Sequence, residues 1–559
     1  MAPLTVARRT PRLRLGLGVA ALAVLVGCAP ASECADWCGT IVVVSAAEAD
    51  ALLPPVVQSD VATSLNDLIF EKLADVGPSM NALGDEGFVP KLATAWEFPD
   101  NRTIRFTLDA GARWHDSAPV TARDVAFTFA VYTDPAVAAV AAPRLANISS
   151  VSADSDGTVT FRFVQPYPEQ FFDAVYHMWI LPSHLLDSVP RAELASHAFG
   201  RAPVGSGPFS FARWEAAQFV ELDGNQSYHL GRPGVRRIVW RFTADGPAAL
   251  SEILAGNADV LNVLPRPEDA ERVAQTTHAR VESYAVPVYA YLGFNMANPR
   301  DRSRRHPLLA SREVRQALTQ ATDRAAIVRA VLGDGGEVPV GPVTRALGLW
   351  DAALPQLEYD PQAARASLEA KGWVDSDADG IRDRDGLPLR LELLVPGSSS
   401  SRVRASQIVQ AQWREVGVDL RLTQVEFSTM MARAEGGRFD AYFGALFQDP
   451  SAASLIDTWS SRAIGGLNYG RYANAIVDAL MDSASTVRDG ALATQLWRQA
   501  LVLLNEDAPA VWMFVPRAQA ALHRRLSHVS LRPDQWSATM WQWTVDPEQA
   551  LPRDGLGNQ

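Results

Sequence analysis

The chain has 559 residues, of which 48% are hydrophobic and 20% charged, and its formal net charge is -12. That length is too great for one hydrophobic core, so two or three lobes are expected, and the composition excludes a largely disordered chain. The acidic balance excludes a nucleic-acid partner, which needs a clustered basic surface; the one local cluster, Arg302, Arg304 and Arg305, reads as a solvated loop.

Residues 1–27 read as an export signal. Arg8, Arg9, Arg12 and Arg14 form its basic start, and Leu15 to Val26 is an uncharged run of 12 residues. Such a run is too short to span a bilayer and suits a signal sequence. It ends in Leu25-Val26-Gly27-Cys28, which resembles a lipobox: small Gly27 admits the peptidase, and Cys28 offers its sulfur to a lipid. The competing readings are an ordinary signal cleaved nearby and a short anchor. The remainder is expected outside the cytoplasm, in the periplasm or on the outer face of a membrane, with residues 28–39 as a lipidated tether. Cys34 and Cys38 are the other cysteines. In an oxidising compartment they are candidates for a local disulfide, with free thiols as the alternative; they are too few for a metal site.

Ile41 to Val44 is a β-branched run that predicts a buried strand. The spacing of Leu65, Leu68, Ile69 and Leu73 predicts a helix over 64–73 with Ser64 as N-cap. Thr103–Leu108 and Thr158–Phe163 alternate as half-buried strands do, and between them Thr121 and Asp124 form the pattern of a capping box. Pro203 to Phe209 holds two glycines and two prolines; it reads as a tight turn and, between strand-like flanks, as a crossing between domains. Glu313–Val331, Pro361–Ala370 and Ser406–Val416 are helical, and Gly417 closes the last before the strand Val418–Leu422. Helix, glycine and strand in succession define a mixed α/β chain.

Motifs of catalysis are missing. There is no His-Glu-x-x-His, Cys-x-x-Cys, P-loop or Gly-x-Ser-x-Gly pattern, so neither an enzyme nor a cofactor is expected. Asp375, Asp377, Asp379 and Gly380 match the opening of a calcium loop, but position twelve is Gly386 and not a bidentate glutamate; a solvated turn, without metal, is the preferred reading.

Several blocks resemble one family, the bacterial extracellular solute-binding proteins of family 5. They include Pro90-Lys-Leu-Ala-Thr-Ala-Trp96, Trp114-His-Asp-Ser-Ala-Pro-Val-Thr-Ala-Arg-Asp-Val125 and Pro203-Val-Gly-Ser-Gly-Pro-Phe209. Further along come Asn225-Gln-Ser-Tyr228, Ile253-Leu-Ala-Gly-Asn-Ala-Asp259, Gly293-Phe-Asn295 and Val314-Arg-Gln-Ala-Leu318. They occur in the family's order across nearly the whole mature chain. One departure is Ser117, where the family usually has glycine.

The resemblance implies a two-lobed periplasmic-binding-protein clamshell with an additional domain inserted in the first lobe. On that pattern the first lobe spans 40–72, 200–290 and 515–559, the inserted domain 73–199 and the second lobe 291–514. It implies a monomeric receptor that captures a peptide or peptide-like solute between its lobes and delivers it to an ABC permease. A nickel chelate, an opine or a small glycoside is the alternative ligand; an exported hydrolase or a surface adhesin is the alternative class. Ligand-binding candidates are Asp449, as partner of a peptide amine after an aromatic strand, with Phe447 at the end of that strand and Tyr289, Tyr291, Trp350 and Trp459 as further aromatic candidates. Hinge candidates are Pro203, Gly205, Gly207 and Asn295. For Asp449 a plain Asp-Pro turn, and for the tyrosines a bracing role, are the competing readings.

Overall fold

A computed structural model describes residues 37–266 and 268–555. Residues 1–36 lie outside the described residues, and with them the export signal, Cys28 and Cys34. Cys38 is disulfide-bonded.

Two large sheets share one strand. Ala510–His523, 14 residues long, pairs through its first half with Val288–Phe294 and through its second half with Ala279–Ala285. On the second-half side the sheet continues through Val260–Leu261, Thr40–Ser45, Arg237–Phe242, Phe219–Gly224 and Phe209–Glu215. On the other side Val288–Phe294 pairs with Ala441–Phe447, which pairs with Arg390–Pro396, and that strand in turn with Asp419–Val425 at the edge. A third, four-stranded antiparallel sheet runs in the order Ala93–Asp100, Thr103–Leu108, Thr158–Phe163, Ile148–Ser155.

The two crossings between the large sheets are therefore adjacent. Ala285 pairs with Arg517 and Ala290 with Phe514, so the chain changes sheets at Val286-Pro287 and again at Val515-Pro516. Pro287 lies between two ladders, where its missing N–H costs no pairing, and Val515-Pro516 pairs there with the short strand Gly336–Glu337 instead of with either large sheet's neighbour. Gln448 braces this point: its N–H donates to Pro287 O (2.7 Å), and its side chain bonds Thr344 N (2.8 Å) and Pro342 O (2.8 Å).

The hinge expectation needs correction. Pro203, Gly205 and Gly207 lie where the chain passes from the four-stranded sheet to Phe209–Glu215, not between the two large sheets. There the His115 ring accepts from Gly205 N (3.1 Å) at Nδ1 and faces Gly207 O (3.0 Å) with Nε2, while Gly207 N donates to Ile69 O (2.8 Å). A Cβ on Gly205 would stand 1.8 Å from Ile69 O, so only glycine fits this backbone approach. Asn295 is also displaced from the hinge. It is buried within the second large sheet's domain, donating to Gly437 O and Phe439 O.

Local readings differ in instructive ways. The expected helix begins earlier, at Asp60–Ile69, capped by Ser59, whose Oγ accepts from Ala62 N. It stops before Leu73 because the carbonyls of Lys72 and Leu73 are taken by the N–H groups of residues 91–93. Residues 313–331 form two helices, Arg312–Gln320 and Arg324–Val331, divided where Asp323 caps the second. The Thr121–Asp124 capping box is present. Ser117 sits at φ 74°, the left-handed region, which explains the preference for glycine at that point of the resemblance.

The first large sheet is closed by a buried ion cluster. Asp259 accepts from Arg525 (2.8 and 2.9 Å), Arg553 (2.8 Å) and Val42 N (2.8 Å), and Arg525 also meets Asp554. Burial alone would raise the Asp259 carboxyl, but Arg525 and Arg553 outweigh it and hold it below the usual carboxylate range. The cluster ties the first strand to the chain's last described turn. Trp536 and Trp543, further along the same C-terminal segment, contact one another in the core under the first large sheet.

Candidate functional site

The helix Asp60–Ile69 ends at the mouth of a chamber and sets Asp67 there. The short strand Ala74–Asp75 pairs with Val89–Pro90, which brings Lys72 and Lys91 side by side on the same wall. The segment after the helix Gln170–Val175 contributes Tyr176, His177 and Trp179 from the four-stranded-sheet domain. Asp534 and Gln535 come from the C-terminal segment, and Asp449 from the second large sheet's domain. The outer chamber so formed has a volume of about 330 Å³. Asp67, Lys72, Tyr176, Trp179, Asp534 and Gln535 also line an inner recess of about 50 Å³ that runs on past Lys91 and Trp541. Aromatic walls with a few placed charges are the ordinary make-up of a small-solute site.

Each charge has a definite setting. Asp67 accepts from Trp179 Nε1 at 2.8 Å, and burial pushes its carboxyl pKa up. Arg532 binds Asp75 (3.0 Å) and Asp534 (2.8 Å). Glu71 Oε1 accepts from Tyr228 OH (2.8 Å) and faces His229 Nε2 (2.9 Å), while Asp109 faces the other ring nitrogen (2.9 Å). Burial disfavours the charged ring of His229, but the two carboxylates outweigh it and raise its pKa.

Contacts also cross to the second large sheet's domain. Arg144 lies 3.1 Å from Asp449. Glu169 accepts from Ser451 Oγ (2.6 Å) and from Ala452 N (2.7 Å). Burial, with the charge of Asp173 and despite these two bonds, pushes the Glu169 carboxyl up to about 8.

Of the sequence candidates, Asp449 lines the chamber, with its side chain 21% exposed. Tyr289, Tyr291 and Trp459 do not. They are buried in the core of the second domain, where Trp459 Nε1 donates to Tyr289 OH (3.1 Å) and Tyr291 OH bonds Tyr442 OH (2.5 Å). Their aromatic rings pack on one another. Trp350 lines a separate cavity beside Tyr284 and Arg517, with the Arg345 guanidinium 3.7 Å over its ring. Phe447 is 66% exposed and ends its strand opposite Val288. Asp375, Asp377 and Asp379 bring carboxylate oxygens within 4.8 Å of one another, all exposed. Arg302, Arg304 and Arg305 lie on an exposed two-stranded hairpin. Asp67, Lys72, Lys91, Tyr176, Trp179 and Asp534 went unread, because they come from four separate stretches of chain; the rarity of lysine was the one available signal.

A chamber beside two α/β domains that are joined by adjacent strands defines the class: a receptor of the periplasmic-binding type. Residues 87–466 match the family described as bacterial extracellular solute-binding proteins, family 5 Middle. The chain belongs to this family. It is 28% identical over 445 residues to the oligopeptide-binding protein AppA of Bacillus subtilis, covering 78% of this chain and 79% of that one. It is 25% identical over 469 residues to a probable di/tripeptide-binding protein of Pseudomonas aeruginosa, covering 80% and 85%. The solved structure of the Bacillus subtilis AppA in complex with a nonapeptide superposes with a TM-score of 0.65 at 26% identity, over 91% of this chain and 99% of that one. The substrate-binding protein CtaP of Listeria monocytogenes gives a TM-score of 0.77 at 20% identity, over 91% and 99%, a likeness of fold.

Proposed function

We propose that this protein is the solute-capturing subunit of an ABC importer, that its solute is a peptide, and that the peptide is held in the chamber between Lys72, Trp179 and Asp449. The observation that carries the reading is the chamber itself. Aromatic rings, carboxylates and the Lys72 ammonium line it, with Asp449 reaching it from the far side of a two-strand hinge, and the chain's relatives include an oligopeptide-binding and a di/tripeptide-binding protein. Hinge closure over a guest that touches both domains is the mechanical step, and ATP hydrolysis belongs to other subunits. Asp449 takes the peptide amine: Arg144 and Ser451 N orient its carboxylate at the chamber edge. Cys28 carries the lipid that keeps the receptor at the membrane, and the protein acts as a monomer that transforms nothing it holds.

The test is native mass spectrometry of the protein purified from its host, followed by thermal melting with the ligand found. A co-purifying peptide, and a melting temperature that climbs with its concentration, are the expected results. A co-purifying nickel chelate, opine or glycoside replaces the peptide reading, and turnover of the bound molecule ends the receptor reading. Asp449→Asn is expected to weaken peptide binding roughly tenfold or more, read by calorimetry.

A further inference from the structure

We propose that Lys72 and Lys91 form an anion subsite at the inner end of the chamber, which takes a carboxylate of the solute, either the C-terminus of a short peptide or an acidic side chain. The inference rests on the peptide-receptor reading and adds to it the polarity of the bound solute.

The chain contains 3 lysines, Lys72, Lys91 and Lys371, among its 51 basic residues; all the others are arginine. Two of the three face one recess. Lys371 is an ordinary surface partner, 2.7 Å from Glu313. Lys72 and Lys91 have no ion pair and no side-chain hydrogen bond among the described residues. Their ammonium groups rest instead on aromatic faces, Lys72 at 4.2 Å from the Tyr176 centroid and 4.4 Å from that of Trp179, Lys91 at 5.5 Å from that of Trp541. An aromatic face holds a cation without cancelling its charge. An arginine would bring a broad planar fork; lysine offers a compact point charge with donors that turn toward whatever arrives.

The backbone imposes the pairing. Lys91 N donates to Leu73 O (3.2 Å) and Leu92 N to Lys72 O (3.2 Å), so both side chains start from one local ladder. The acids of the recess are already engaged: Asp67 by the Trp179 hydrogen bond and the nearby charge of Lys72, Asp75 and Asp534 by Arg532, Glu71 through Oε1 by Tyr228 and His229. Glu71 Oε2 alone is buried without a partner. A recess of about 50 Å³ admits a carboxylate and not a residue, whereas the outer chamber of about 330 Å³ holds the body of a short chain. Asp449 at the outer edge and the lysines at the inner end then orient a peptide amine-outward.

The experiment uses the full-length protein in detergent, incubated with an equimolar tripeptide mixture as free acids and, separately, as C-terminal amides, and read by native mass spectrometry. Retention of free acids at least tenfold over amides identifies the C-terminus as the anion; selective retention of amides containing Asp or Glu identifies a side chain. Lys72→Met and Lys91→Met are each expected to lower retention about tenfold, the scale of losing a desolvated charge partner. Lys72→Gln replaces the methionine variant if that one melts early without ligand. Equal retention of acids and amides, unchanged retention by the variants, or selection for basic side chains regardless of carboxylate (the outcome if Glu71 governs the recess) overturns the subsite. If neither mixture is retained at all, the peptide reading falls, and the subsite with it.

Discussion

Two groups of charged side chains, one buried around Asp259 and one half-buried around Lys72, are built on opposite principles. Around Asp259 each charge is answered within the chain: Arg525 and Asp259 are both 0% exposed at the side chain, and Arg553, Asp554 and backbone groups of Thr40, Val42, Gly256 and Leu551 complete the set. Around Lys72 the ammonium groups make no ion pair among the described residues and rest on aromatic faces, with only the attraction between Lys72 and Asp67 beside them. The difference teaches how to tell a structural charge from a functional one. A cluster complete in itself stabilises one arrangement, and desolvation leaves it little to offer a guest. A cation kept beside aromatic faces, next to open volume, keeps its attraction for something that is not yet there.

The largest expected effect lies on the complete side. Asp259→Ala leaves Arg525 buried and short of its main partner, and should cost about 3–5 kcal/mol in urea unfolding. Because the arginines hold Asp259 below the usual carboxylate range, its stabilisation is present above about pH 4 and lost as pH falls through the lowered value. A loss under about 1 kcal/mol would break the comparison. Gly205→Ala comes next: its Cβ meets backbone at Ile69 that has no freedom to yield, and a cost of about 1–3 kcal/mol or more is expected from thermal melting.

Glu169 lies between the two cases, bonded yet buried beside other acids. Its carboxyl, raised to about 8, favours the folded contact while protonated. The wild type should therefore lose stability as pH rises from about 4.5 to about 8, by up to about one proton's linkage. Glu169→Gln should flatten that slope in melting curves taken from pH 5 to 8.5; an unchanged slope assigns the dependence elsewhere. On the unanswered side, Lys72→Met should change the stability of the ligand-free protein by less than about 1 kcal/mol, since only cation–π contact is lost. The smallest effect is a gain: Ser117→Gly relieves left-handed strain of about 1–2 kcal/mol, gives back about 0.4–1 kcal/mol in unfolded-chain entropy, and so should add at most about 1 kcal/mol.

Much of the scaffold was legible before any coordinates. The strands Thr103–Leu108 and Thr158–Phe163, the helix Pro361–Ala370 and the Thr121–Asp124 box follow from period and capping, which act over a few residues. The breaks were less legible. The helix over 64–73 was misplaced because its apolar face continues past Ile69, while the force that ends it, pairing of Lys72 and Leu73 with residues 91–93, comes from elsewhere in the chain. The glycine-proline turn at 203–209 was rightly singled out as unusual, but the reason is a contact with Ile69 and His115 and not lobe motion.

The sequence by itself determined the α/β class, the order of the elements and, through blocks such as Trp114-His-Asp116, the family. Tertiary structure alone decided the site. An aromatic residue reads the same whether its ring faces a neighbour, as Tyr289 does, or a cavity, as Trp179 does. A lysine likewise shows no sign in its own stretch of chain of whether an anion awaits it. Those distinctions depend on what four distant segments leave unfilled between them, and empty space is a property of the packed chain that no local pattern encodes.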